Sequence, residues 1–230
     1  MNFLAVSKMD KINYEAELAK IFPFWDKLEQ NEKDKILLNT LTAEYDKGQM
    51  LHGGNQCTGL LIVLTGELRV FLLSDEGKEV TLYRLLPGDM CMLSASCVLA
   101  TINFDVFITS ETNSQCLLIN GQTFSALAEN NLLVKNFALE KAVARFSDVM
   151  WVMQQILFTS LDKRLAGFLL TEAARQNSKC LKFTHEQIAG NLGTAREVVS
   201  RLLKYMSTEK IIAMKRGTIT ILDEEKLKNM

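Results

Sequence analysis

The sequence is poor in residues that carry chemistry or interrupt a fold. It holds two prolines and two histidines in 230 residues. With so little proline and only twelve glycines, long flexible linkers are not expected. His52 and His185 stand far apart, which leaves little for a histidine metal centre or a His-based triad. The five cysteines (Cys57, Cys91, Cys97, Cys116 and Cys180) are odd in number and scattered. No two form a CxxC pair, so neither a structural zinc site nor a disulfide framework is expected. Long apolar runs are missing too. The longest uncharged apolar stretch, residues 90–104, is interrupted by Ser94, Ser96 and Asn103. It falls short of the ~20 residues that span a bilayer, so no membrane association is expected. Residues 1–10 show no basic start followed by an apolar run, so no secretory leader is expected and the chain reads as soluble and cytoplasmic. No Ser/His/Asp set, phosphate-binding glycine loop or pair of catalytic carboxylates stands out, and an enzyme is not expected.

What is present is a core-forming composition with a divided charge. Apolar residues make up 48% and charged residues 23%, the balance of a globular protein. The net charge of −1 conceals two halves. Residues 1–160 carry 13 Lys/Arg against 19 Asp/Glu, a net of −6, and residues 161–230 carry 13 against 8, a net of +5. An acidic front and a basic back suggest two domains with different roles.

The pattern changes along the chain. Residues 14–42 read as helical: Leu18, Ile21, Phe22, Trp25 and Leu28 recur at helical steps, and Ile36, Leu37 and Leu41 continue after a polar break. Short β-type runs follow at 58–65, 67–73, 78–86, 105–110 and 115–119. They are separated by turn residues, among them Gly66, Asp75-Glu76-Gly77 and Pro87-Gly88-Asp89. Such spacing predicts an antiparallel sandwich or barrel, with a hairpin at 75–77. From Phe124 to Phe158 helical periodicity returns. Leu139, Phe146 and Met153 lie seven apart, as do Val143, Met150 and Leu157, offset by four. This is a seam of period 3.5. It reads as the face of a homodimer helix, with a single buried core helix as the alternative. Residues 161–175 form another amphipathic helix.

Residues 183–205 are the most informative. Thr184 is placed to cap a short helix, with Gln187 as the capping-box partner. Gly193 supplies the left-handed turn. Thr194 then reads as the cap of a second helix, from Ala195 to about Met206. Val198, Leu202 and Tyr205 are expected inward, with Arg196, Glu197, Ser200, Arg201 and Lys204 outward. This is a helix-turn-helix with a polar second helix. Arg201 suits guanine O6 and N7, Glu197 suits cytosine N4, and Ser200 can reach a neighbouring base or phosphate. An ordinary surface helix with a Glu197–Arg201 ion pair is the alternative. Residues 211–222, with Gly217 between strand-like runs, read as a wing on which Lys215 and Arg216 face phosphate.

The Glu197-x-x-Ser200-Arg201 arrangement, preceded by 189–193 and followed by a wing, resembles the Crp/Fnr family of bacterial transcription regulators. The resemblance extends over essentially the whole chain. It implies an α+β architecture: an N-terminal antiparallel β-roll of jelly-roll type, a long dimerisation helix, and a C-terminal winged helix-turn-helix. The expected domains are 1–126 for effector sensing, 127–158 for dimerisation and 159–230 for DNA. Gly48, Gly54, Gly66, Gly77 and Gly88 match the roll's turn glycines. The implied partners are double-stranded DNA carrying an inverted repeat, a second copy of the chain, and RNA polymerase. Glu197 and Arg201 are the implied base readers, and Thr194, Arg196, Ser200, Lys204, Lys215 and Arg216 complete the expected DNA-binding set. The half-site, TTGA-like or GTGA-like, stays open.

The sequence departs from cAMP-binding members of that family. Their Gly-Glu-Leu and Arg-Ser groups hold ribose and cyclic phosphate. Here Met92 and Leu93 occupy the places of the first pair, and Phe104 and Asp105 the places of the second. A cyclic phosphate needs a cation or a nest of amides. Binding of cAMP is therefore not expected, nor any cofactor. Without a cysteine before Cys57, an iron–sulfur cluster is not expected, and His52 reads as a turn histidine in preference to a haem ligand. The expected effector pocket is Met90, Cys91, Met92, Leu93, Phe104 and Asp105, suited to an apolar or aromatic effector. Cys91 and Cys97 form either a thiol switch or inert core thiols. Two other classes remain as alternatives: a cyclic-nucleotide-binding regulatory subunit of an enzyme, and a cupin-like metalloenzyme, which would need several converging histidines.

Overall fold

The computed structural model describes residues 11–53, 59–92 and 105–230. Aromatic packing organises the first elements. Helices α1 (Lys11–Ile21) and α2 (Gln30–Leu38) flank a 3-10 turn at Trp25–Lys27. Leu18, Phe22, Phe24, Trp25 and Ile36 share one core with Phe124 and Phe137. The Phe22 and Phe24 rings stack 5.1 Å apart, and Phe137 meets both edge-on. Such ring geometry adds to plain area burial.

Helix does not continue to residue 42 as the sequence pattern predicts. Helix α2 stops at Leu38, and strand β1 (Thr40–Tyr45) follows, paired along its whole length with residues 114–119. Its alternation is inverted relative to hydrophobicity. Thr40 and Thr42 point inward, and Leu41 is 44% exposed. The buried hydroxyls are satisfied: Thr40 Oγ1 donates to the Ile36 carbonyl at 2.7 Å and Thr42 Oγ1 to the Tyr14 hydroxyl at 3.2 Å. Burial of polar groups is tolerated on those terms.

Seven more strands complete the roll: β2 (Met50–Gly53), β3 (Leu60–Thr65), β4 (Leu68–Leu73), β5 (Glu79–Leu85), β6 (Met90–Cys91), β7 (Phe107–Ser110) and β8 (Ser114–Ile119). They form two four-stranded sheets, ordered β1-β8-β3-β6 and β2-β7-β4-β5. This is the predicted jelly-roll layout, which leaves few open edges. The 75–77 hairpin is present, closed by Gly77. Gly66 is required where it stands. Its φ is +86°, and a Cβ there would lie 2.6 Å from the Asn113 carbonyl oxygen. Two largely buried ion pairs, which no local sequence pattern announces, lie in the roll. Arg84 meets Glu67 at 3.2 Å, and Arg69 meets Glu111 at 3.2 Å while lying over the Phe71 ring.

Helix α3 (Gly121–Asn130) is capped by Asn120, whose Oδ1 accepts from the Thr123 N–H at 3.1 Å. The long helix expected over 127–158 is α4 (Leu132–Phe158); residues 127–130 complete α3 instead. Then follow α5 (Leu161–Gln176), β9 (Cys180–Leu181), α6 (His185–Leu192), α7 (Arg196–Thr208), β10 (Ile212–Lys215), β11 (Thr218–Ile221) and α8 (Glu224–Lys228). The last three strands form a sheet ordered β10-β11-β9. A second core, built on Leu165, Leu169, Ile188, Val199, Leu203 and Ile219, fixes these elements. The chain divides into two compact units. One takes the chain up to Phe71 with Tyr83–Asp148, the other Leu72–Leu82 with Val149–Met230. Among the described residues no helix is long and apolar enough to cross a membrane.

Candidate nucleic-acid interface

Helix α6 has eight residues, too few to hold alone in water. Its ends are fixed locally. Thr184 Oγ1 accepts from the Gln187 N–H at 3.1 Å, and Gln187 Oε1 accepts from the Thr184 N–H at 2.8 Å, which is the predicted capping box. Gly193 ends the helix at φ 65° and ψ 44°, where a side chain would be strained. Arg164 Nη1 donates to the Leu192 carbonyl at 2.8 Å, satisfying one of the helix's unpaired C-terminal oxygens. Burial pulls the Arg164 guanidinium down from its ordinary value.

Two details of the second helix differ from expectation. Thr194 does not cap it. The Thr194 N–H is bonded to the Ala189 carbonyl at 3.1 Å, which ties the residue to the end of α6. Ala195 is the N-cap, one residue later, without a side-chain bond. The buried face is also rotated by one residue. Val199, Leu203 and Met206 are buried, and Tyr205 is 56% exposed. The sequence offers both sets at the same spacing, 198-202-205 and 199-203-206, and the contact with α5 and the wing selects the second.

That rotation sets the outer face. Arg196, Glu197, Arg201, Lys204 and Tyr205 are exposed, and Thr194 and Ser200 are half-buried. Lys215, at the end of β10, and Arg216, in the turn to β11, are exposed, and Gly217 closes that turn at φ 70°. A groove of about 500 Å³ runs between the start of α6, Arg196 and the wing, lined by Thr184, His185, Glu186, Lys215 and Thr218 among others. His185 was not among the expected site residues. Its Nδ1 lies 2.9 Å from Ser200 Oγ.

The six seam residues of α4 share one fate. Leu139, Val143, Phe146, Met150, Met153 and Leu157 are 43–66% exposed. Only Val134, Phe137 and Ala138, near its start, are buried. The alternative of a core helix does not describe this face.

Of the expected effector residues, Leu93 and Phe104 lie outside the described residues, as do Cys57 and Cys97. Met90 and Met92 are buried in the roll's core beside Leu18 and Phe22, and Asp105 is exposed. Cys91 is fully buried, its Sγ 3.8 Å from the Tyr83 hydroxyl. Burial, with Cys91 alongside, pushes that hydroxyl well above its ordinary range. Arg145 of α4 lies over the Tyr83 ring and pairs with Asp89 at 3.4 Å and Asp148 at 2.9 Å. His52 is buried in β2.

A jelly roll, a long helix with an uncovered apolar row and a winged helix-turn-helix together define a class of transcriptional regulator. Residues 42–131 match the model of the cyclic nucleotide-binding domain, and residues 163–230 match the Crp-like helix-turn-helix domain. A solved structure from Eubacterium rectale ATCC 33656, described as a transcriptional regulator of the Crp/Fnr family, is 44% identical. The match covers 91% of this chain and 98% of that one, at a TM-score of 0.88. The "Probable transcriptional regulator flp" of Lacticaseibacillus casei is 27% identical over 86% of this chain and 92% of its own. The cAMP-activated global transcriptional regulator CRP of Haemophilus influenzae is 22% identical over 76% and 80%. The chain belongs to the Crp/Fnr family of transcriptional regulators.

Proposed function

We propose that the protein binds DNA as a homodimer and reads an inverted repeat. The observation that carries this reading is the outer face of α7, where Arg196, Glu197, Arg201 and Lys204 stand exposed above buried Val199, Leu203 and Met206. Glu197 and Arg201 read base edges. Arg201 offers two donors to guanine, and Glu197 accepts from cytosine. Thr194, Arg196, Lys204, Lys215 and Arg216 hold backbone phosphate, and Ser200 reaches a neighbouring base or phosphate. The exposed α4 row supports pairing of two copies, which brings two recognition helices to the ~34 Å repeat of one DNA turn. RNA polymerase is the further partner, and the cytoplasm the compartment. The roll senses an effector or a redox state.

That effector is not cAMP, in this reading. The places that would hold its ribose and phosphate carry Met92, Leu93, Phe104 and Asp105, and the burial of Met92 in the core supports this. The test is selection of bound duplexes from a random pool, run with reduced and oxidised protein and with added cAMP. A two-fold symmetric consensus, unchanged in affinity by cAMP, is expected. Failure to enrich any sequence would overturn the DNA reading, and micromolar cAMP affinity would overturn the second part.

A further inference from the structure

Side-chain direction in the small sheet of the winged domain is fixed by its register. Ile212 pairs with Ile221 and Met214 with Ile219, and Ile219 in turn pairs with Leu181 of β9. These residues belong to the core built on Leu165, Val199 and Leu203. Neighbours along a strand point to opposite faces, so the alternate pairs face out. They are Ala213 with Thr220 and Cys180, and Lys215 with Thr218. One step further along the same register, Lys182 follows Leu181 and stands across from Thr218. The outer face therefore ends in a row of three: Lys215, Thr218 and Lys182. Both lysines are exposed and Thr218 is half-buried. With strands about 4.8 Å apart, the two lysines start about 10 Å from each other.

Charge is disposed of differently at the two ends of this sheet. Lys179, before β9, meets Glu224 at 3.2 Å, and Lys228 meets Glu224 at 3.0 Å and Glu225 at 3.2 Å. Lys182, Lys215 and Arg216 form no ion pair among the described residues. Positive charge at one end is thus neutralised within the chain, and at the other it is left to solvent. Like charges directly opposite each other destabilise a sheet. Thr218 keeps the two lysines a strand apart and adds a hydroxyl donor between them. Cation, hydroxyl and cation over about 10 Å suit a run of phosphate oxygens, since about three nucleotides of duplex rise cover that distance. Lys215 and Thr218 also line the groove beside Arg196 of α7, as does Thr184, two residues after Lys182. The row begins at that groove and leads away from it.

We propose that Lys182, at the end of β9, extends the DNA-binding surface past the wing and holds phosphate outside the base pairs that α7 reads. This rests on α7 being the recognition helix. Lys182 supplies affinity and length of footprint without sequence choice, because phosphate contacts carry no base information.

The test uses the full-length protein and two duplexes. One is the selected inverted repeat alone, and the other is the same repeat lengthened on each side by about one helical turn (~10 base pairs) of unrelated sequence. Affinity is measured by fluorescence anisotropy across a range of salt concentrations. On the longer duplex Lys182→Gln is expected to lower the slope of log affinity against log salt by about one per protomer. It should weaken binding by up to about fivefold per protomer at ~0.15 M salt. On the short duplex it binds like the parent. Lys182→Arg keeps the parent's slope on both. Lys179→Gln, three residues away but paired with Glu224, leaves the slope unchanged. Equal loss on the two duplexes, no loss on the longer one, or the same change of slope from Lys179→Gln overturns the proposal. Arg201→Ala separates the two readings. If it binds the repeat like the parent, α7 is not the reader and this inference falls with that reading. If it weakens binding to both duplexes while Lys182→Gln matches the parent on the longer one, only the role of Lys182 is refuted.

Discussion

Replacing Phe146 with aspartate strikes the middle of the exposed α4 row. Phe146 is 65% exposed. A buried phenylalanine removes roughly 200 Å² from water, so a partner helix would cover about 130 Å² of what is now open. At ~25 cal/mol per Å² this is about 3 kcal/mol per protomer and about 6 kcal/mol per symmetric dimer. Rim exposure lowers the figure, and two unpaired carboxylates in an apolar seam raise it. A loss of at least about a thousandfold in dimerisation constant is expected. Sedimentation velocity across the micromolar range would follow it. The parent should sediment at twice the 25.9 kDa chain mass and Phe146→Asp at the chain mass. Circular dichroism should show the same helix content in both. Glu140→Gln, exposed on the same helix but outside the row, is the control and should dimerise normally. A parent that is monomeric throughout, or a Phe146→Asp protein that stays dimeric, would refute the argument.

Other outcomes follow from single contacts. Arg201→Ala should cost about 1–3 kcal/mol in binding the selected site and relax discrimination at one base pair, while Lys215→Ala should weaken all sequences alike and lower the salt slope by about one. Competition assays at several salt concentrations distinguish the two. Thr184→Ala removes the α6 cap and should lower stability by about 1 kcal/mol, read as a shift in urea midpoint with unchanged slope. Alkaline stability carries a sign. Burial pushes the Cys116 thiol from 9.0 up to about 12, and burial with Cys116 nearby pushes the Tyr45 hydroxyl from 10.0 up to about 12. Below pH 9 both groups keep their protons folded or unfolded. Above it the unfolded chain releases protons that the folded chain retains, so these groups lower stability as pH rises from about 9 to 12. Urea midpoints that stay level or rise over that interval would contradict the burial argument.

What the sequence made legible is what turns and caps encode. Gly66, Gly77 and Gly193 mark places where the backbone needs a conformation that side chains resist, and strands or helices could be hung between them. The capping box at Thr184 and Gln187 was readable for the same reason, because both partners lie within four residues. Strand β1 was lost because its threonines face in and Leu41 faces out, so hydrophobic alternation pointed the wrong way. The face of α7 was displaced by one residue because valine, leucine and a third apolar residue occur twice in adjacent registers. Only packing against the rest of the winged domain chooses between them. The His185–Ser200 bond joins residues fifteen positions apart, and no local pattern announces it.

The caps of α6 also decide when the ordering of the helix-turn-helix takes place. Thr184 at one end, and Gly193 with Arg164 at the other, hold eight residues in shape before any partner arrives. Conformational entropy is then lost during folding and not again on association. If the proposed complex with DNA forms, its heat capacity change should accordingly report contact area, without the large extra component of a segment that folds as it binds.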